Sequence, residues 1–315
     1  MRIINEETVR KYLTMSAGIR VMEDTLKALS NEDVVQKLRM SIHLEENNIF
    51  GLMPSYLKYK NVFGAKVISV FPENKKRFLP SHQGIVVLFE NTSGQLVAIV
   101  DGEGITAVRT AAVSAVATRA LSREDSEILT IMGTGVQAKS HIEAILLVRP
   151  IKKIKIWDYK VDYAEAFVET LRSELDLEIE YYKSAKDALS ESDIVCTVTS
   201  ARTPIIKREW LKTGVHINAV GSCTPDAREI DSETMRDCTL FVDSLESATH
   251  EAGDYLIPLK EGIIKEGHIK AEIGHVLTQK KAGRTSDEEI TLFEALGLSI
   301  EDIAAAYYIY EKVQQ

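Results

Sequence analysis

The chain has 315 residues, 45% hydrophobic and 27% charged, enough for one large or two modest domains with a proper core. Its net charge of −9 argues against a nucleic-acid partner and against an anionic membrane surface, and no apolar run approaches the length of a transmembrane helix. The opening residues, Met1-Arg-Ile-Ile-Asn-Glu-Glu7, lack the apolar core of a secretion signal, so a cytoplasmic location is expected; Cys196, Cys223 and Cys238 have neither metal-ligand spacing nor an even disulfide set, and no metal site is expected.

The first segment carries a helical pattern. Val9, Leu13, Ile19, Met22, Leu26 and Leu29 recur at spacings compatible with one helix face. Strand-like runs follow at Ala65–Phe71, Gly84–Phe89 and Leu96–Val100, with a hairpin turn expected at Asn91-Thr-Ser-Gly94. This part therefore reads as α+β with antiparallel pairing. An alanine-rich helix over residues 111–121 leads into a second pattern. There, short apolar runs at 128–132, 154–157, 194–198, 215–220, 239–242 and 290–293 alternate with helical stretches such as Tyr163–Leu171 and Ala185–Leu189. Alternation of this kind implies βαβ units, hence a mostly parallel, doubly wound sheet. A last helix is expected over Ile300–Tyr310, returning to the first domain. The predicted division is 1–118 with 299–315 as an α+β substrate-binding and dimerisation domain, and 119–298 as a dinucleotide-binding domain.

The run Ile128–Met132 passes directly into Gly133-Thr-Gly135-Val-Gln-Ala138, and Asp158 closes the next apolar run. That is the dinucleotide fingerprint in the context it requires. Gly133 permits the tight turn, Gly135 lets backbone approach a pyrophosphate, and Ala138 lets helix and strand pack closely. The helix N-terminus supplies N–H groups and positive dipole for the phosphates. The alternative is a plain glycine turn between strand and helix. Asp158 favours NAD, because a carboxylate accepts from ribose hydroxyls and repels a 2′-phosphate; Lys160, two residues on, keeps NADP open.

A nucleotide domain alone does not name a reaction. Three basic residues of the first domain stand out. Arg39 precedes Met-Ser-Ile-His, Lys66 opens an otherwise apolar strand, and Arg109 precedes the small-residue helix at the domain junction. Each taken alone is more often a surface charge than a site residue.

Taken together, the stretches Gly51-Leu-Met53-Pro54, Gly64-Ala-Lys66, Thr106-Ala-Val-Arg109-Thr-Ala-Ala112, Gly133–Ala138, Ser192–Thr199, Asn218-Ala-Val-Gly221-Ser, Arg228-Glu229, Gly253-Asp254 and Gly283-Arg284 resemble the ornithine cyclodeaminase/mu-crystallin family nearly end to end. The resemblance implies a Rossmann-type domain plus an α+β domain, a homodimer, and a nicotinamide cofactor. It implies interconversion of amino acids with keto or imino acids. By the same resemblance, Arg39 and Arg109 hold the substrate carboxylate, Met53 lies at the substrate, and Lys66 is the acid–base or electrostatic partner. Val136 and Gln137 would lie at the pyrophosphate, with Thr197, Ala219 and Val220 on the nicotinamide side.

One position departs from the cyclodeaminase pattern. Where ornithine cyclodeaminases carry an aspartate for the substrate's side-chain amine, this chain has Cys223, with Asp226 three residues on. A thiol does not replace a carboxylate as partner of an ammonium group, so a neutral or cyclic substrate is expected. The leading expectation is NAD(P)-dependent reduction of a small cyclic 2-imino acid such as Δ1-pyrroline-2-carboxylate. The alternatives are ornithine cyclodeaminase, an alanine dehydrogenase-like activity, and a non-enzymatic nucleotide-binding protein.

Overall fold

The computed structural model describes residues 1–77 and 79–314. Contacts divide the chain into two units, Met1–Ala112 with Gly297–Gln315, and Val113–Leu296.

Unit 1 opens with β1 (Arg2–Ile4), α1 (Glu6–Tyr12) and α2 (Met15–Ser30). The continuous helical pattern of the sequence is thus two helices. Asn5 caps the first, its side chain accepting from Thr8 N at 3.1 Å, and Thr14 caps the second, accepting from Ala17 N at 3.3 Å. A cap residue takes extended backbone angles, so Thr14 must break the run. Then come β2 (Val34–Gln36), β3 (Met40–His43), β4 (Ile49–Leu57), β5 (Val62–Val70), β6 (His82–Glu90), β7 (Leu96–Asp101) and α3 (Gly102–Leu121). The sheet runs β1-β7-β6-β5-β4-β2, with β3 also paired to β4. All pairs are antiparallel except β1 with β7. Helix α3 starts well before the alanine-rich stretch because Asp101 Oδ1 accepts from Glu103 N and Gly104 N. Two positions shift accordingly: Arg109 lies within this helix rather than ahead of it, and Lys66 sits mid-strand rather than at the strand's start.

Unit 2 comprises β8 (Ile128–Met132), α4 (Val136–Leu146), β9 (Lys153–Trp157), α5 (Val161–Glu174), β10 (Glu178–Tyr181), α6 (Ala185–Leu189), β11 (Ile194–Thr197), β12 (His216–Ala219), α7 (Ser232–Asp237), β13 (Thr239–Val242), α8 (Leu245–Glu251), α9 (Gly253–Lys260), β14 (Ile269–Glu272), α10 (Ile273–Leu277) and β15 (Thr291–Glu294). Its sheet is parallel throughout, in the order β10-β9-β8-β11-β12-β15-β13-β14. Chain order runs outward in one direction from β8 through β9 to β10, and in the other from β11 to β12. The reversal falls between β8 and β11. In open parallel sheets, ligands bind outside the carboxyl ends of the strands at this switch point. The central strands are buried along their whole length, save the first residue of β8, which is why they read as largely apolar runs.

The final helix, α11 (Ser299–Gln314), belongs to unit 1 and packs on α2, β4, β5 and β6. Ile300, Ile303, Ala304, Ala305, Ala306 and Ile309 are buried, and so, against the usual rule, are Glu301 and Asp302.

Candidate active site

Each unit carries one part of the candidate machinery. In unit 2 the fingerprint opens α4. Gly133 has φ +113°, in the region that favours glycine, and an added Cβ would stand 2.9 Å from the Val198 carbonyl oxygen. Nothing lies within 4 Å of a Cβ built on Gly135. No side chain caps α4, and Val136 at its start is 67% exposed. Ala138 is fully buried in the third small position, and Gln137 lies between. These features fit a dinucleotide: there is room for a pyrophosphate where a helix terminus offers donors and positive potential.

Asp158 follows β9. Its Oδ2 accepts from Thr134 Oγ1 at 2.8 Å and its Oδ1 from Lys160 N at 2.8 Å. Both bonds orient the carboxylate and leave lone pairs for ribose hydroxyls. The other expected cofactor residues converge on the same sheet edge. Thr197 ends β11, paired with Met132 of β8 on one side and Ala219 of β12 on the other. Val220 N and Gly221 N each donate to the Thr197 carbonyl at 3.1 Å.

Four buried carboxylates lie in this region of the chain, and sequence reading assigned none of them a role. Glu229 accepts from Thr199 N and Gly221 N, both at 2.9 Å, tying the loop after β11 to the loop after β12. Asp254 Oδ1 accepts from Glu229 N at 3.0 Å and Ile230 N at 2.7 Å. Asp243 accepts from Leu296 N at 2.7 Å. Glu294 ends β15 fully buried, and neither of its oxygens is hydrogen-bonded among the described residues. Burial raises the pKa of Glu229, and burial together with neighbouring carboxylates raises those of Asp254 and Glu294. Cys223 is half-buried against the unit's core, while Asp226 forms an exposed ion pair with Arg202.

Unit 1 brings the three basic residues into one cluster with two acids. Lys66, on β5, is 2% exposed and stands opposite Met53 of β4, itself buried. Its Nζ donates to Thr106 Oγ1 at 2.7 Å and to Asp302 Oδ1 at 3.1 Å. Arg109, on α3, donates through Nε to Asp302 Oδ1 at 3.1 Å and through Nη1 to Glu301 Oε2 at 2.8 Å. Arg39, in the connection between β2 and β3, is half-buried and donates to the Gly297 carbonyl at 3.4 Å. The third N–H of Lys66 and the Nη2 of Arg109 have no acceptor among the described residues. Two cations, Lys66 and Arg109, thus meet two carboxylates and keep donors to spare.

The electrostatics follow from burial. Desolvation pushes the Lys66 ammonium down to about 8, with Asp302 resisting and Arg109 and Arg39 adding to the fall. Burial would lower Arg109 too, but Asp302 and Glu301 outweigh it and its pKa rises. Glu301 and Asp302 escaped sequence reading, although a signal existed: adjacent acids in the otherwise apolar helix Ile300-Glu-Asp-Ile-Ala-Ala-Ala306.

Comparison with known proteins gives a consistent answer. Residues 2–315 match the ornithine cyclodeaminase/mu-crystallin family. The chain is 38% identical to the Δ1-pyrroline-2-carboxylate reductase of Bacillus cereus, over 99% of this chain and 96% of that protein. It is similar to the solved structure of Thermococcus litoralis Δ1-pyrroline-2-carboxylate reductase in complex with NADH and L-proline, with a TM-score of 0.97, 41% identity, and 100% and 98% of the two chains covered. It is also similar to an archaeal alanine dehydrogenase dimer with bound NAD, with a TM-score of 0.94, 29% identity, and 99% and 95% covered. The chain belongs to the ornithine cyclodeaminase/mu-crystallin family.

Proposed function

We propose that this protein reduces Δ1-pyrroline-2-carboxylate, or a closely similar cyclic 2-imino acid, to the amino acid. It is an NAD(P)-dependent imino-acid reductase of its family, and we take NAD to be the preferred cofactor because the Asp158 carboxylate, in the acidic position of the fingerprint, would repel a 2′-phosphate. The observation that carries the substrate assignment is the unit 1 cluster. Two buried cations, pinned by carboxylates yet each keeping an N–H without an acceptor among the described residues, suit a small monocarboxylate.

Arg109, with Arg39, binds the substrate carboxylate; a guanidinium stays charged at any working pH and its donors match carboxylate geometry. Lys66 donates its free N–H to the imine nitrogen. A pKa near 8 leaves it mostly protonated at neutral pH and acidic enough to give the proton up. Met53, across the strand pair from Lys66, contributes an apolar wall for a ring without side-chain charge. Gly133, Gly135, Val136, Gln137, Ala138, Asp158, Thr197, Ala219 and Val220 would hold the dinucleotide, which when bound would supply the hydride. The carbon–nitrogen double bond thus gains one hydride at carbon and one proton at nitrogen.

Cys223 in place of a carboxylate, and Asp226 engaged by Arg202, support a substrate lacking a side-chain amine. We further propose a homodimer through unit 1, where Met40, Ile42 and Phe50 on β3 and β4 expose apolar side chains; light scattering on purified protein tests it. The decisive assay follows NADH absorbance with Δ1-pyrroline-2-carboxylate, beside ammonia release from ornithine with catalytic NAD. NADH consumption without ammonia release is expected. Ammonia release from ornithine at constant NADH would make the protein a cyclodeaminase.

A further inference from the structure

The strongest feature left unassigned is the acidic pair on α11. Asp302 is fully buried, and a single oxygen, Oδ1, accepts from both Lys66 Nζ and Arg109 Nε, each at 3.1 Å. Its other oxygen has no hydrogen bond among the described residues. Glu301 differs: it meets Arg109 at 2.8 Å, while the ion pairs of Lys66 run to Asp302 alone. The proton donor and the carboxylate binder of the proposed reaction therefore share one anchor atom, on a helix more than 190 residues away in sequence.

We infer that Asp302 is a positioning residue for the reduction proposed above, on which this inference rests: it holds Lys66 and Arg109 in register and keeps Lys66 charged. The charged groups facing Lys66 are Asp302 from α11, Arg109 from α3, and Arg39 from the β2–β3 connection; Thr106 adds an uncharged acceptor. Two of those three charges oppose the ammonium, as does burial. Asp302 is the leading charge that favours it. Without this carboxylate, Lys66 would be a neutral amine near neutral pH and could not act as the acid.

D302N tests this, since it preserves shape and one acceptor oxygen, removes the charge, and puts an amide NH2 in place of the other oxygen. The basic limb of the kcat/KM profile for imine reduction is expected to move to lower pH by about one unit or more, with activity partly regained in acid. A limb that stays in place overturns the inference, whatever happens to the overall rate. E301Q is the contrast: Arg109 loses a partner, so KM rises while the limb holds. D302E keeps the charge and is expected to keep the limb; a limb displaced as far as one full unit would refute the charge argument even if D302N did not fold. Direct titration separates this inference from the functional assignment. In protein labelled with [ε-13C]lysine, the resonance absent from K66R reports Lys66. If no cyclic imine is reduced, the functional assignment fails, and the Lys66 titration still decides. A midpoint lowered in D302N supports the role of Asp302, and an unchanged midpoint overturns it.

Discussion

Gly297 touches the candidate site from two sides, and Gly297→Ala separates a backbone effect from a binding effect. Its φ is +78°, where an L-residue pays roughly 1–2 kcal/mol. At about 2–4 °C per kcal/mol for a protein of this size class, the melting temperature should fall by about 2–8 °C. The added Cβ would also stand 2.6 Å from Arg109 Nη1 and 3.1 Å from Nη2. The end of an arginine ordinarily swings aside at little cost. This one is pinned by Glu301 at 2.8 Å and Asp302 at 3.1 Å, so relief of the clash must weaken those bonds or rotate the guanidinium out of line. The Gly297 carbonyl meanwhile accepts from Arg39. A hydrogen bond to a charged group is worth about 1.5–3 kcal/mol, so KM for the imino acid should rise by about 10- to 100-fold, while the NADH dissociation constant stays put. Steady-state kinetics by NADH absorbance, fluorescence titration of NADH and a thermal melt measure all three. An unchanged KM beside the lowered melting temperature would show that Arg109 does not bind the substrate carboxylate.

Three further outcomes are expected. Lys66→Ala should lower turnover by about 100-fold or more, the usual weight of a general acid, with NADH binding intact; near-normal turnover removes Lys66 from the chemistry. Asp158→Gly should raise the ratio of kcat/KM for NADPH over NADH by about tenfold or more, and a ratio that does not move would place cofactor choice elsewhere. The buried acids of unit 2 should tilt stability with pH. Raised carboxyl pKa values mean that the folded state keeps protons the unfolded chain releases above about pH 4, so this contribution to stability falls as pH rises from there through the raised values of Glu229, Asp254 and Glu294. Glu294→Gln should flatten the slope of melting temperature against pH; parallel slopes in the two proteins would mean that Glu294 is not held protonated.

The nucleotide-binding fold was legible because its signals are local. Strands buried on both faces show as apolar runs, and the fingerprint, its strand and its acid lie within about 30 residues. The strands that escaped were the sheet edges: β10 is Glu178-Ile-Glu-Tyr181 and β14 is Ile269-Lys-Ala-Glu272, each breaking its apolar content with charge, as edge strands do. In unit 1, β4 was obscured by Gly51 and Pro54, residues that weaken strand propensity, although it pairs along its whole length with β5. Lys66 stood out because an ammonium group in an apolar strand needs a partner. That partner could not be read from any window of sequence, since Asp302 lies 236 residues away. Arg228-Glu229 and Gly253-Asp254 were visible as motifs, but tying the sheet-edge loops together is a property of tertiary structure alone.

The unit 1 cluster makes little sense as a stabilising device. Desolvating ions costs several kcal/mol each, and apolar replacements of similar volume often serve stability as well or better. Lys66 and Arg109 are nonetheless buried with Glu301 and Asp302, two cations against two carboxylates. The acids hold both cations without taking every donor: one N–H of Lys66 and the Nη2 of Arg109 keep no acceptor among the described residues, and those are the donors a substrate carboxylate and imine need.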